Sequence, residues 1–303
     1  MPGQDQRSGL HGLPAGDGLP RRGPLARDRR MSWRPYAVQE GNTVTGTLLE
    51  WPDLSDAQHT PRTALAWLPP SYHDEPERRY PVVYFHDGQN VFDAATSNSG
   101  EWEADETLTR LAGEGLEAIA IGVPHGGERR FFEYSPAAIP APDLPEGGGA
   151  DAYVAYLVDT VKALVDSSFR TRPEPEYTVT VGSSMGAVVS LHALLTRPDV
   201  FGHAGLLSPA FWTGGDFSLA QARRSPTPPG RVWVDVGGHE SEQPERAKAY
   251  VRDAHALAEL LREKGMSERV AFLADPQAIH HESAWAARLP AALRFLLGGA
   301  AKG

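Results

Sequence analysis

Gly182-Ser183-Ser184-Met185-Gly186 is the one G-x-S-x-G pentapeptide in the chain. Alone it is a weak signal. Its neighbours strengthen it. The β-branched run Tyr177-Thr178-Val179-Thr180-Val181 precedes it, and Ala187 to Leu195 follow at helical spacing. A serine between a strand and a helix can present its hydroxyl from a tight, strained turn at the top of a sheet. Glycines on either side let strand and helix pass closely. The helix N-terminus supplies N–H groups and partial positive charge toward an oxyanion. Ser184 is therefore the candidate nucleophile.

A serine hydroxyl needs a base, and the base needs an orienting acid. For this kind of turn the expected chain order is Ser, acid, His. Of eleven histidines, His280 and His281 follow the last apolar strand and precede the last helix. His280 is the favoured base and His281 the alternative. The acid belongs after the penultimate strand, Arg231 to Val236. Glu240 lies in the turn that follows, Gly237-Gly238-His239-Glu240, and is favoured over Asp235, which sits inside the strand. Adjacent histidines point apart, so His-His-Glu is not expected to hold a metal.

A second oxyanion donor should come from a loop after an early strand. Phe85-His86-Asp87-Gly88-Gln89-Asn90 occupies that place. The donors named are the backbone N–H of Gln89 and that of Met185, with Gly88 letting the backbone approach a substrate carbonyl. Further candidates for substrate contact are Asp87, Arg129, Arg130 and Trp212. Arg129-Arg130 could clamp an anionic group. The competing reading is an internal ion pair of Arg130 with Glu133 or Asp105. Trp212 and Phe211 either line the pocket or pack in the core.

The elements that must position these residues are legible as alternating runs. Strands are expected near 43–50, 63–68, 81–85, 116–123, 177–181, 203–207, 231–236 and 268–274. Helices are expected near 101–114, 150–168, 185–196, 243–264 and 283–297. Pro290 should kink the last helix or restart it. Two early strands without an intervening helix read as an antiparallel start. The remainder reads as an α/β fold, with about eight strands, mostly parallel, and helices on both faces. Residues 137–149 form a Pro- and Gly-rich excursion, either a functional flap or solvated filler.

The chain has 303 residues, 39 Asp and Glu against 29 Lys and Arg, and a formal charge of −10. That balance argues against broad binding to nucleic acid or anionic lipid. Cysteine is absent, which excludes disulfides and thiolate chemistry. No apolar run is long enough to span a bilayer. Residues 1–30 carry six Arg, three Asp, ten Gly or Pro and no aromatic residue, and are expected to be a disordered extension. They lack the apolar core of a secretory signal. A start at Met31 is one hypothesis, and residues 31–303 are expected to form a single domain. A cytoplasmic location is the expectation. No dinucleotide-type glycine motif follows any strand, and no cofactor is expected.

Six ordered segments then carry a resemblance. They are Tyr-Phe-His-Asp-Gly-Gln-Asn-Val-Phe-Asp at 84–93, Glu-Trp-Glu-Ala-Asp-Glu at 101–106 and Gly-Glu-Arg-Arg-Phe-Phe-Glu-Tyr-Ser-Pro at 127–136. The others are the pentapeptide at 182–186, Ser-Pro-Ala-Phe-Trp at 208–212 and His-His-Glu-Ser-Ala-Trp at 280–285. Over about residues 43–299 the chain resembles the putative esterase family of α/β-hydrolases, which includes enterochelin esterases and siderophore trilactone hydrolases. The resemblance implies an α/β-hydrolase fold without a large cap domain. It places Ser184, His280 and Glu240 in the nucleophile, histidine and acid positions. Trp285, five residues after His280, fits the family's spacing. Ala187 departs from a second glycine common after the serine turn. The implied activity is hydrolysis of a small-molecule carboxylic ester through an acyl-enzyme. The alternatives are an acyltransferase with the same residues, or a catalytically silent binding protein on this scaffold.

Overall fold

Alternating apolar residues in the central strands point to two opposite faces, and both faces are covered. A computed structural model of the chain describes residues 32–138, 146–214 and 216–298. The N-terminal extension and most of the Pro- and Gly-rich excursion lie outside the described residues. The strands are β1 Arg34–Pro35, β2 Thr47–Leu54, β3 Arg62–Leu68, β4 Val82–His86, β5 Ile119–Val123, β6 Thr178–Ser183, β7 His203–Leu207, β8 Val232–His239 and β9 Val270–Ile279. The helices are α1 Ala104–Ala112, α2 Arg130–Tyr134, α3 Ala150–Tyr156, α4 Ala163–Ser168, α5 Met185–Thr196, α6 Phe217–Arg224, α7 Pro244–Leu261 and α8 Glu282–Leu297. A π-helical stretch, Leu157–Lys162, joins α3 to α4.

The nine strands form one sheet in the order β1-β2-β3-β5-β4-β6-β7-β8-β9. β1, β2 and β3 are antiparallel, and β3 meets β5 antiparallel. From β5 to β9 every pairing is parallel. The chain leaves β4 for β5 on one side and returns to β6 on the other. Such a reversal opens a crevice at the carboxyl ends of the strands, where ligands of open α/β sheets bind.

Val82, Tyr84, Ile121 and Val234 pack with residues of α3, α5 and α7 on one face. Val83, Phe85, Ala120 and Trp233 pack with residues of α1 and α8 on the other. Burial on both sides explains why these strands read as continuous apolar runs. α5 is apolar all round because it is central, and Met185 through Leu195 are all buried.

The elements differ from the sequence expectation at several places. The sheet has nine strands rather than about eight, because a two-residue strand at Arg34–Pro35 adds to the edge. α2 and α6 are short and lie outside the expected helices. α1 covers a shorter span than the expected 101–114, and β9 runs on to Ile279. α8 does not restart at Pro290, which lies inside it. An interior proline costs about 3 kcal/mol. Burial of Leu289, Leu293, Leu296 and Leu297 offsets this, at about 1.5–3 kcal/mol per large side chain.

Candidate active site

β6 ends and α5 begins at a single strained residue. Ser184 has φ 54° and ψ −118°, a conformation that non-glycine residues rarely adopt. From Thr178 to Leu195 it is the one residue not buried. Its N–H donates to Leu207 O at 2.9 Å, and its carbonyl accepts from Ala210 N at 3.1 Å, which pins the turn against the end of β7. A Cβ on Gly182 would stand 2.4 Å from the Gly186 backbone, so only glycine permits this crossing.

β9 delivers His280 to the same end of the sheet, and the turn after β8 delivers Glu240. His280 Nδ1 and Glu240 Oε2 are 2.6 Å apart. Glu240 is 3 % exposed. Its other oxygen accepts from the Ser208 hydroxyl at 2.5 Å and from the Gly237 N–H. Burial pushes the Glu240 carboxyl up, but bonds from His280 and Ser208 outweigh it and hold the group below the usual carboxylate range. Trp285 meets the His280 ring edge-on at 5.0 Å, and Tyr250 from α7 covers it at 5.2 Å.

The two alternatives sit elsewhere. His281 caps α8, with Nδ1 accepting from Ser283 N at 3.2 Å and 2.9 Å from Ser283 Oγ. Asp235 is fully buried and bonds Arg288 Nε at 3.0 Å and Trp233 Nε1 at 2.7 Å. Burial pushes its carboxyl up to about 6.

Ser208 links these groups, and the sequence reading gave it no role. Its oxygen accepts from Trp285 Nε1 at 3.0 Å and from Arg288 Nη2 at 2.9 Å. Both lone pairs are thereby used, so its one proton is directed at Glu240. The available signal was the segment Ser-Pro-Ala-Phe-Trp at 208–212, which marks the position without revealing the contact.

Across the crevice, β4 ends in the turn Gly88–Asn90. Gln89 lies in this turn, and Met185 is the first residue of α5. Backbone N–H groups in a first helical turn have no acceptor within the helix. Gly88 has a further reason to be glycine: its Cβ would stand 2.3 Å from the Gly122 backbone in β5. Behind the turn, His86 is buried between Tyr153 Oη at 2.9 Å and Thr180 Oγ1 at 3.1 Å. Burial lowers it to about 4, so it is neutral at ordinary pH.

Arg130 binds Asp87 through both carboxylate oxygens, Nε at 2.7 Å and Nη2 at 2.8 Å. This corrects the expected partners, Glu133 and Asp105. Glu133 is buried and takes Arg62 instead, at 3.1 and 3.0 Å. Burial opposes ionisation of Asp87, but the Arg130 charge prevails and holds its carboxyl low. Asp87, Gln89, Asn90, His125, Arg130 and Glu282 line a cleft of about 300 Å³ with Ser184 and His280. Arg129 and Trp212 do not line it. Arg129 is half-exposed, 3.8 Å from Glu133, and Trp212 carries the Arg246 guanidinium 4.4 Å over its ring. Ser184 and His280 face this cleft without a direct hydrogen bond between them, as is common before substrate tightens such contacts.

The parallel sheet, the strained serine at its carboxyl edge and the carboxylate-bound histidine define a serine ester hydrolase of the α/β-hydrolase fold. The putative esterase model matches residues 55–296, and the chain belongs to that family. It is 25% identical over 253 residues to the uncharacterized protein YbbA of Bacillus subtilis, covering 81% of this chain and 96% of that protein. It is 31% identical over 157 residues to the siderophore enterobactin esterase of Emericella nidulans, covering 47% of this chain and 50% of that enzyme. The structure of siderophore hydrolase EstA from Aspergillus nidulans superposes with a TM-score of 0.65 at 20% identity, covering 88% of this chain and 99% of that one. Among the described residues, no helix is long and apolar enough to cross a membrane.

Proposed function

We propose that Ser184 is the nucleophile, His280 the general base and Glu240 the acid that orients it. The observation that carries this reading is the 2.6 Å contact between Glu240 Oε2 and His280 Nδ1, at the cleft that Ser184 faces. Glu240 fixes the imidazole so that Nε2 is left for the serine proton. Ser184 Oγ attacks the ester carbonyl while His280 takes its proton. The N–H groups of Gln89 and Met185 stabilise the developing oxyanion. His280 returns the proton to the leaving alcohol, and an acyl-enzyme remains. Water then attacks with His280 again as base, releasing the acid and restoring Ser184.

The substrate proposed is a small-molecule ester of the siderophore type. The names of similar enzymes support this, as does the polar lining of the cleft, where donors and acceptors outnumber apolar groups. Arg130 and Asp87 are the proposed substrate contacts, presenting a fixed charge pair to polar groups of the ligand.

Labelling with a fluorophosphonate followed by peptide mapping tests the reading. Modification is expected at Ser184 and nowhere else. Ser184→Ala should abolish it and reduce ester hydrolysis by about 10⁴-fold or more, with the melting temperature little changed. Hydrolysis retained by that folded variant would sink the assignment. Mass analysis of products from iron-loaded and iron-free siderophore esters then reads the substrate class.

A further inference from the structure

Outside the cleft, three acidic side chains converge at the start of α1. One carboxylate oxygen from each of Glu101, Asp105 and Glu106 lies within 4.8 Å of the other two. Each carboxylate has one oxygen held by the segment that leads into β2. Thr43 Oγ1 donates to Glu101 Oε2 at 2.7 Å, Thr45 N to Asp105 Oδ2 at 2.6 Å, and Thr45 Oγ1 to Glu106 Oε1 at 3.1 Å. The second oxygen of each, Glu101 Oε1, Asp105 Oδ1 and Glu106 Oε2, is buried with no hydrogen-bond partner. Asp105 itself is 0 % exposed.

Buried polar atoms are rarely left unbonded, and three in one place call for a ligand. Arg110 and His281 line the same pocket as Glu101, but neither is paired with the trio. Among the described residues, no Lys, Arg or His forms a salt bridge with any of the three. The other charged groups acting on Glu101 are Asp93 and Glu103, also negative. The N-terminus of α1 contributes only about half a positive charge.

We propose that this trio binds a hard divalent cation, calcium by preference. The donors are all oxygen, which suits calcium or magnesium rather than a transition metal. Calcium accepts irregular shells at about 2.3–2.6 Å and completes them with water, whereas magnesium demands a near-ideal octahedron. Glu101 and Glu106 are half-buried, so the trio has a route to solvent. The threonine donors orient the carboxylates as outer-shell partners do. The cation ties the strand entry at 43–45 to α1. It also steadies the loop behind the oxyanion turn, because Trp102 N donates to Asn90 O at 2.9 Å. Neither the histidine pair nor the absence of cysteine points to this trio in the sequence. These carboxylates converge only once α1 is formed. The site is independent of the ester chemistry proposed above.

The test uses the full chain, stripped with chelator and dialysed. Calcium is added and thermal unfolding followed. Separately, terbium luminescence is read with tryptophan excitation, since Trp102 adjoins Glu101. Calcium is expected to raise the melting temperature by about 3 °C or more and to displace terbium. Asp105→Asn and Glu101→Gln should each weaken calcium binding by about 10-fold or more. Glu101→Gln alters a half-buried loop residue and keeps the test decisive if Asp105→Asn fails to fold. No melting shift with calcium up to about 10 mM, the weak end of protein calcium sites, would overturn the proposal. So would a shift that both variants retain at the native affinity.

Discussion

The two rims of the cleft are built on opposite plans. On the β8 rim, polar capacity is spent inside the protein. Ser208 uses its proton and both lone pairs, Glu240 takes three donors, and Asp235 is bound by Arg288 and Trp233. Of that network only Arg288 Nη1 lacks a partner. On the β4 rim, Asp87 and Arg130 satisfy each other, but they stand in the cleft wall beside Gln89, Asn90 and His125. A closed network fixes orientation. A charge pair at a cleft wall offers its remaining donors and acceptors to a ligand. The β8 rim should therefore govern stability and kcat, and the side chains of the β4 rim, as distinct from the Gln89 backbone N–H in the oxyanion turn, should govern KM.

The strongest challenge to that division is Arg288→Met. It leaves Asp235 buried without its counter-charge, and breaking such a pair costs about 3–5 kcal/mol. Urea denaturation should show that loss near neutral pH. The sign with pH follows from Asp235, which burial already holds up at about 6. A carboxyl raised on folding contributes stability in acid and loses it as pH rises through its folded value. Without Arg288 that value rises further, so the deficit should be smaller at pH 5 than at pH 8. A deficit independent of pH would mean that Asp235 does not depend on Arg288.

Ser208→Ala is a finer cut. It removes one donor to Glu240 and strands the N–H groups of Arg288 and Trp285, without touching the cleft. The loss of a hydrogen bond to a charged group is about 1.5–3 kcal/mol, or about 10- to 100-fold in kcat if orientation of His280 is what suffers. KM should change little. With one donor fewer, the depressed Glu240 carboxyl must rise, so the acid limb of the kcat profile should move to higher pH. An equal loss in kcat/KM and melting temperature, with an unmoved profile, would mark Ser208 as merely structural.

How far these rims could be read beforehand differs for physical reasons. The proposed triad, Ser184, His280 and Glu240, follows from chain order, because each residue follows a strand end and strand ends are visible as apolar runs. The same runs gave the parallel core. The partners of Arg130 were misread because sequence proximity favoured Glu133, while β4 carries Asp87 to it across 43 residues. Ser208, Arg288 and Tyr250 are invisible for a related reason. Each acts through a contact between elements, and nothing in its local pattern distinguishes it from a loop serine, a helix arginine or a core tyrosine. The missed strand at Arg34–Pro35 and helix α2 are too short to show a period. All the strand ends that matter for the site fall within residues 31–303, and those ends are set by burial of the runs before them and not by the edge elements.

Arg130→Lys probes the opposite rim and should have the smallest effect of the three. Arginine grips both oxygens of Asp87 with a planar fork, and lysine reaches only one at a time. The charge persists, so Asp87 keeps a partner and the fold should lose less than about 1 kcal/mol. The geometry of the cleft wall does change, because the guanidinium no longer presents its outer N–H groups in a fixed plane. KM for the ester should rise about 3- to 10-fold, roughly one lost or misplaced hydrogen bond, while kcat stays within about twofold. That outcome requires the pair to contact substrate in the ground state and the transition state alike. If kcat falls and KM does not, Arg130 acts on the oxyanion turn through Asp87, which adjoins Gly88. The β4 rim would then also be orienting machinery, and the division between the rims would fail where it is most easily tested.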